Sequence, residues 1–206
     1  MAQRRATHVR RCPRCKINQR LCFCSHIKPS TMETKVSVVI HVRELKLTSN
    51  TAYFAELLYP QQTHLLIRGA MDFKFDPQDA IDPERQNLFL YPDENAQVLD
   101  EEFKKKYPGP YNLIVPDGSW SQASKVYKRE PAFHSIPTVK LPEGIEGEYR
   151  LRQSQSANQV CTLEAIAYAL GALESESIQK HMLDFFKVFV DRVWMSRFDF
   201  YGEIKD

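Results

Sequence analysis

The chain has 206 residues, with 43% hydrophobic and 26% charged residues, enough for one sizeable core plus a small appendage. No apolar run approaches the ~18 residues of a membrane span, and Met1–Arg5 has no apolar stretch of the secretory type, so a cytoplasmic protein with no membrane partner is expected. The net charge of +2 hides an asymmetry: residues 1–28 hold eight of the 28 Lys and Arg and no acid, leaving 20 bases against all 26 acids in the remainder.

Arg10, Arg11, Arg14, Lys16 and Arg20 surround Cys12, Cys15, Cys22 and Cys24, a C-x2-C-x6-C-x-C cluster. Two thiolate pairs at this spacing can close a tetrahedral zinc site. A cytoplasmic setting argues against paired disulfides. Such a knuckle depends on metal for folding, and a closed all-cysteine site suits binding rather than chemistry. With its bases it reads as a segment over residues 1–30 that grips a nucleic-acid backbone. The catalytic body then covers 31–206.

Lys35–Val42 is a strand rich in β-branched residues, with His41 near its carboxyl end. Thr48–Thr51 offers helix caps before a helix over Ala52–Leu58, stopped by Pro60. Thr63–Ile67 is a second strand; residues 69–86 read as loop or short helix, and Leu88–Leu90 as a third strand. Tyr91–Ala96 is a strand–loop–helix junction, and Lys104–Pro110 a basic connector. Tyr111–Val115 is a buried strand that Pro116 should end. Asp117-Gly118 makes a turn, and Ser119 caps the next helix, up to Pro131. Thr138–Leu141 is a last strand. A long helix to about Glu174, capped by Ser156 or Asn158, and a final helix over Ile178–Met195 complete the chain. Alternating strands and helices predict an α/β fold with a mainly parallel sheet and helices on both faces. The junctions near 41–51, 90–96 and 115–120 then open on one sheet edge, where ligands bind. Neither G-x-G-x-x-G nor G-x-x-x-x-G-K-[ST] occurs, which excludes the usual dinucleotide and P-loop sites.

Asp117-Gly118-Ser119-Trp120 resembles the Asp-x-Thr/Ser-Trp signature of the DTW-domain family. The cysteine cluster, Ser49-Asn50-Thr51, Leu90-Tyr91-Pro92, Tyr149-Arg150-Leu151-Arg152 and Cys161-Thr162-Leu163-Glu164-Ala165 stand in that family's order. Ser119 takes the Thr slot, and Tyr91 one often held by Phe. The family resembles the knotted SPOUT methyltransferases, which implies a trefoil knot over Pro137–Leu163. The implied activity is a tRNA-uridine aminocarboxypropyltransferase. It moves the 3-amino-3-carboxypropyl group of S-adenosyl-L-methionine to N3 of a variable-loop uridine, leaving methylthioadenosine. A SPOUT-like RNA methyltransferase and a non-catalytic zinc-dependent RNA-binding protein are the alternatives. A monomer is slightly favoured over a dimer.

Under this resemblance Asp117 is the base for uracil N3–H or the residue that orients the uridine, against a plain turn role. Trp120 stacks on uracil or lines the sulfonium, against packing at a helix start. Leu90, Tyr91 and Pro92 form an adenine or ribose wall, and Ser49, Asn50 and Thr51 shape the pocket or cap a helix. Thr162 and Glu164 meet the amino-acid end of the cosubstrate. Pro116, Gly118, Ser119, Leu151 and Leu163 complete the implied cosubstrate contacts, with Ser119 also the helix cap. Arg150 and Arg152 clamp the methionine carboxylate or a tRNA phosphate, against a surface ion pair. Cys161 reads as buried structure, because a single displacement needs no covalent enzyme intermediate.

Overall fold

The computed structural model describes residues 10–48, 50–71, 74–149 and 160–197. In chain order its elements are β1 (Lys35–His41), α1 (Tyr53–Leu58), β2 (Thr63–Arg68), β3 (Gln86–Leu90), β4 (Gln97–Val98), α2 (Glu101–Lys106), β5 (Tyr111–Asp117), α3 (Trp120–Arg129), β6 (Thr138–Lys140), α4 (Thr162–Leu173) and α5 (Glu176–Arg197). The six strands form one sheet in the order β2-β1-β5-β3-β6-β4, and every pairing is parallel.

Alternation along the central strands sends side chains to two cores. Val36, Val38 and Ile40 of β1, with Leu113 and Val115 of β5, join residues of α1, α4 and α5 in the larger one. Val39, Phe89 and Ile114 face the opposite side, where Val126 of α3 packs with Phe133 and Ile136. Helices therefore cover both faces, as the near-continuous apolar runs of the strands require.

Several local expectations change. Pro116 does not end β5, which runs on to Asp117. The ladder to β3 stops at Phe89↔Ile114 while that to β1 continues to Ile40↔Asp117, so a residue without an N–H is tolerated where only one neighbour remains. Lys104–Lys106 end a helix instead of opening a connector. Asp100 caps that helix through Phe103 N–H, acids fill its first turn, and the three lysines fill its last, matching the helix dipole. The long helix begins at Thr162 with Cys161 as its cap; Ser156 and Asn158 lie outside the described residues, as does part of the Pro137–Leu163 span expected to knot.

The cysteine segment does not stand apart from the body. Ile17, Leu21, Phe23 and Ile27 are buried in the larger core. Phe23 is fully buried, with ring centroids 5.7, 5.8 and 6.0 Å from those of Phe54, Phe185 and Phe189. Phe23→Ala should therefore destabilise the whole domain by about 3–5 kcal/mol. Urea unfolding should show one transition at a lower midpoint, whereas a detachable appendage would leave the midpoint of the body unchanged.

Candidate active site

The strand order reverses direction between two neighbours. From β1 the chain passes through α1 to β2 on one side, and from β5 it passes through α3 to β6 on the other. Their carboxyl ends therefore diverge and leave a crevice, the usual ligand position in an open α/β sheet. Asp117, the last residue of β5, stands at this crevice and is only 5% exposed. Asn50 Nδ2 donates to its Oδ2 at 2.6 Å, and Thr162 Oγ1 donates to its Oδ1 at 2.5 Å. Beside them Leu163 N–H donates to Thr51 Oγ1 at 3.4 Å, and Tyr53 N–H donates to Asn50 Oδ1 at 3.4 Å. The N-terminal ends of α1 and α4 are thus tied to the end of β5. Ser49 lies outside the described residues.

The turn after Asp117 is built for close packing. Gly118 has φ +140°, and a Cβ there would stand 2.8 Å from Gln122 Oε1. Ser119 and Gln122 form a reciprocal capping box at the start of α3. Trp120 follows, 56% exposed. Its ring lies 6.3 Å from that of Tyr91, which in turn stacks on Tyr127 at 6.3 Å and 18°. Leu90 is buried at the end of β3, whereas Pro92 is exposed. Tyr91 and Trp120 thus make an open aromatic platform on the β3 side of Asp117.

At the start of α4 the expected contacts are committed inward. Glu164 is fully buried; its Oε2 accepts Cys161 N–H at 2.7 Å and its Oε1 accepts Glu148 N–H at 2.6 Å. Leu163 is core. Cys161 is 1% exposed, and burial, with the Glu164 carboxylate beside it, pushes its thiol well above the ordinary range. A buried neutral thiol is not a nucleophile. Arg150, Leu151 and Arg152 lie outside the described residues.

A second feature escaped the sequence reading. On the β1 and β2 side of Asp117 lies a pocket of about 230 Å³ lined by His41, Arg43, Arg68, Gln122, Lys125 and Arg129, with Asp117 and Val126. Gln122, Lys125 and Arg129 share one face of α3 at spacings of three and four, a stripe that helical periodicity could have revealed.

A DTW domain matches residues 9–194. The chain belongs to the DTW-domain family. Curated relatives of this DTW chain include the tRNA-uridine aminocarboxypropyltransferase 2 of Drosophila melanogaster, 29% identical over 171 residues, which cover 80% of this chain and 67% of that protein. The proteins of the same name from Macaca fascicularis and Mus musculus are 27% identical over 177 residues, 84% of this chain and 59% of theirs. No solved structure matches it significantly.

The DTW domain carries its four cysteines as a cluster, all sulfurs within 4.8 Å of one another. Cys12 Sγ lies 3.5 Å from Cys24 Sγ and 3.6 Å from Cys22 Sγ, and Cys15 Sγ lies 3.7 Å from Cys22 Sγ. A tetrahedron of ~2.3 Å metal–sulfur bonds has edges of about 3.8 Å, so the donor set fits zinc. Hydrogen bonds from backbone N–H groups, that of Cys15 foremost, bring the Cys12 thiol down to about 6, whereas burial pushes Cys15 up to about 11. Four adjacent thiols cannot all ionise without a cation between them. Arg10, Arg11, Arg14 and Arg20 are exposed around the cluster. Lys16 differs: its ammonium sits 3.9 Å above the Tyr53 ring and donates to Leu45 O at 3.2 Å, and Tyr53 OH donates to Arg14 O at 3.4 Å. Purified protein should carry about one zinc ion per chain by atomic emission, and Cys15→Ser should lose it. Full zinc content in that variant would rule out this ligand set.

Proposed function

We propose that this chain transfers the 3-amino-3-carboxypropyl group of S-adenosyl-L-methionine to N3 of a variable-loop tRNA uridine, releasing methylthioadenosine. The observation that carries this reading is a coincidence of two findings. The DTW match spans nearly the whole chain, and the Asp117–Trp120 signature falls at the switch-point crevice of the sheet. The names of the curated relatives supply the reaction class.

In the transfer, uracil N3 attacks Cγ of the methionine moiety, the carbon that joins the 3-amino-3-carboxypropyl chain to sulfur. A C–N bond forms, the C–S bond breaks, the sulfonium leaves as a neutral thioether, and the N3 proton is released. A sulfonium has three carbons open to attack, so selectivity is a matter of which one is held in line. Trp120, exposed at the crevice mouth, stacks on the incoming uracil, and Tyr91 with Pro92 walls the adenosyl group. Asp117 is a positioning residue: it holds Asn50 and Thr162, and through them the ends of α1 and α4, around the reacting groups. A trefoil knot over Pro137–Leu163 belongs to this reading, as part of the family's resemblance to the SPOUT fold. Zinc on the four cysteines neutralises their thiolates and stiffens the knuckle.

Incubation with S-adenosyl-L-methionine and an unmodified tRNA transcript tests the reaction. Methylthioadenosine is the expected by-product; adenosylhomocysteine would mean methyl transfer, and neither would leave an RNA-binding module.

The role of Asp117 has its own test. Asp117→Asn sets an amide donor against Asn50 Nδ2, and the loss of one charge-assisted bond should lower kcat by about 10- to 100-fold. Adding Asn50→Asp restores a donor facing an acceptor, while Thr162 still finds an oxygen. The double variant should regain about tenfold or more in kcat. No recovery would instead assign Asp117 the removal of the N3 proton.

A further inference from the structure

We infer that the basic pocket beside Asp117 seats a phosphate of the RNA backbone next to the uridine to be modified, an inference that rests on the tRNA reading above. Its cations come from three elements. Arg43 follows β1, Arg68 ends β2, and Lys125 and Arg129 project from α3. Arg68 Nε is already neutralised by Glu130 Oε1 at 3.0 Å. Arg43, Lys125 and Arg129 are exposed and form no ion pair among the described residues. The acid in the wall, Asp117, is buried with both oxygens accepting from Asn50 and Thr162. Among the described residues the pocket is therefore net cationic, with Arg43, Lys125 and Arg129 set against the one carboxylate of Asp117.

His41 adds a directed donor. Its Nδ1 accepts Arg43 N–H at 3.2 Å, so the neutral ring carries its proton on Nε2. Gly69, at φ +78°, makes room for the ring: a Cβ there would stand 2.8 Å from Nε2. Every polar group of the wall other than Asp117 and the amide oxygen of Gln122 can then donate to an anion.

The position separates this pocket from the aromatic platform. Tyr91 and Trp120 stand on the β3 side of Asp117, and the cations on the β1 and β2 side. The cationic side also continues into the knuckle, because Lys16 bonds to Leu45 O, two residues beyond Arg43. Arg10, Arg11, Arg14 and Arg20 are exposed on that knuckle. A single carboxylate uses one or two cations, whereas a phosphodiester chain uses a line of them. Such contacts fix register rather than sequence, which is what a site must do to present one uridine to a reactive carbon.

The test is the Lys125→Gln/Arg129→Gln double variant, whose exposed positions spare the core. Binding of unmodified tRNA should weaken about tenfold or more, and the slope of log K against log salt should fall by about 1 to 2, close to one phosphate contact per lost cation. The Kd for S-adenosyl-L-methionine by calorimetry should stay unchanged. Unchanged tRNA affinity and slope, with a wild-type protein that binds and modifies tRNA, would overturn the phosphate seat alone. Selective loss of S-adenosyl-L-methionine affinity would also overturn it, making the pocket a carboxylate clamp. A wild-type protein that neither binds nor modifies tRNA would remove the tRNA reading and the phosphate seat together.

Discussion

The carboxylate of Asp117 is the constraint on which the rest of the site depends. It is buried, and burying a carboxylate is costly unless its oxygens are paired. Asn50 and Thr162, which supply the pairing, lie 67 and 45 residues away in sequence. Each therefore has to be delivered by its own stretch of chain, and the delivery determines where α1 and α4 begin. Asp117 itself is held in register by the ladder to Ile40 of β1. The sheet positions the acid, and the acid positions the two helix ends. Both oxygens accept from groups of the fold, which supports the positioning role proposed for Asp117.

The cysteine knuckle bears on the same cluster. Lys16 reaches Tyr53 and Leu45, Tyr53 N–H reaches Asn50, and Asn50 reaches Asp117. The basic segment with its four-cysteine cluster is continuous with the crevice through packed groups, and Phe23 roots it in the main core. A metal that stiffens this segment also restrains the loop carrying Asn50. In the proposed reading, gripping RNA and shaping the crevice would both follow from one rigid knuckle.

The strands that bear on the site were visible in the sequence because both faces of the sheet are covered. Complete burial demands near-continuous apolar runs, and β1 and β5 have them, broken inside only by Ser37 and Asn112. The two-residue β4 was invisible for the opposite reason, since one ladder of two pairs with β6 leaves no periodicity. The helix ending at Lys106 was hidden because a short helix with one buried residue, Phe103, looks polar. At the site, the Asp–Gly–Ser–Trp order exposed the turn and the Ser119 cap. It could not show that Asp117 binds Asn50 and Thr162, since contacts over such separations leave no local trace. The inward commitment of Glu164 follows a capping-box logic that Cys161, an uncommon cap, disguised. The basic pocket draws on β1, β2 and α3, and only the topology brings them together.

The two sides of the crevice differ in a way that suits the proposed transfer. A sulfonium is a cation, and an aromatic wall attracts it without competing for the site as a carboxylate ion pair would. A polynucleotide is an anion and needs bases. Mixing both sets of groups in one cavity would place arginines against the sulfonium and repel it. Setting the aromatic platform beyond β3 and the cations beyond β1 keeps the charges apart, with β5 and Asp117 between them. In the proposed transfer, donor and acceptor meet at the mouth of the crevice at Trp120, the exposed residue that the signature places directly after the Asp–Gly–Ser turn.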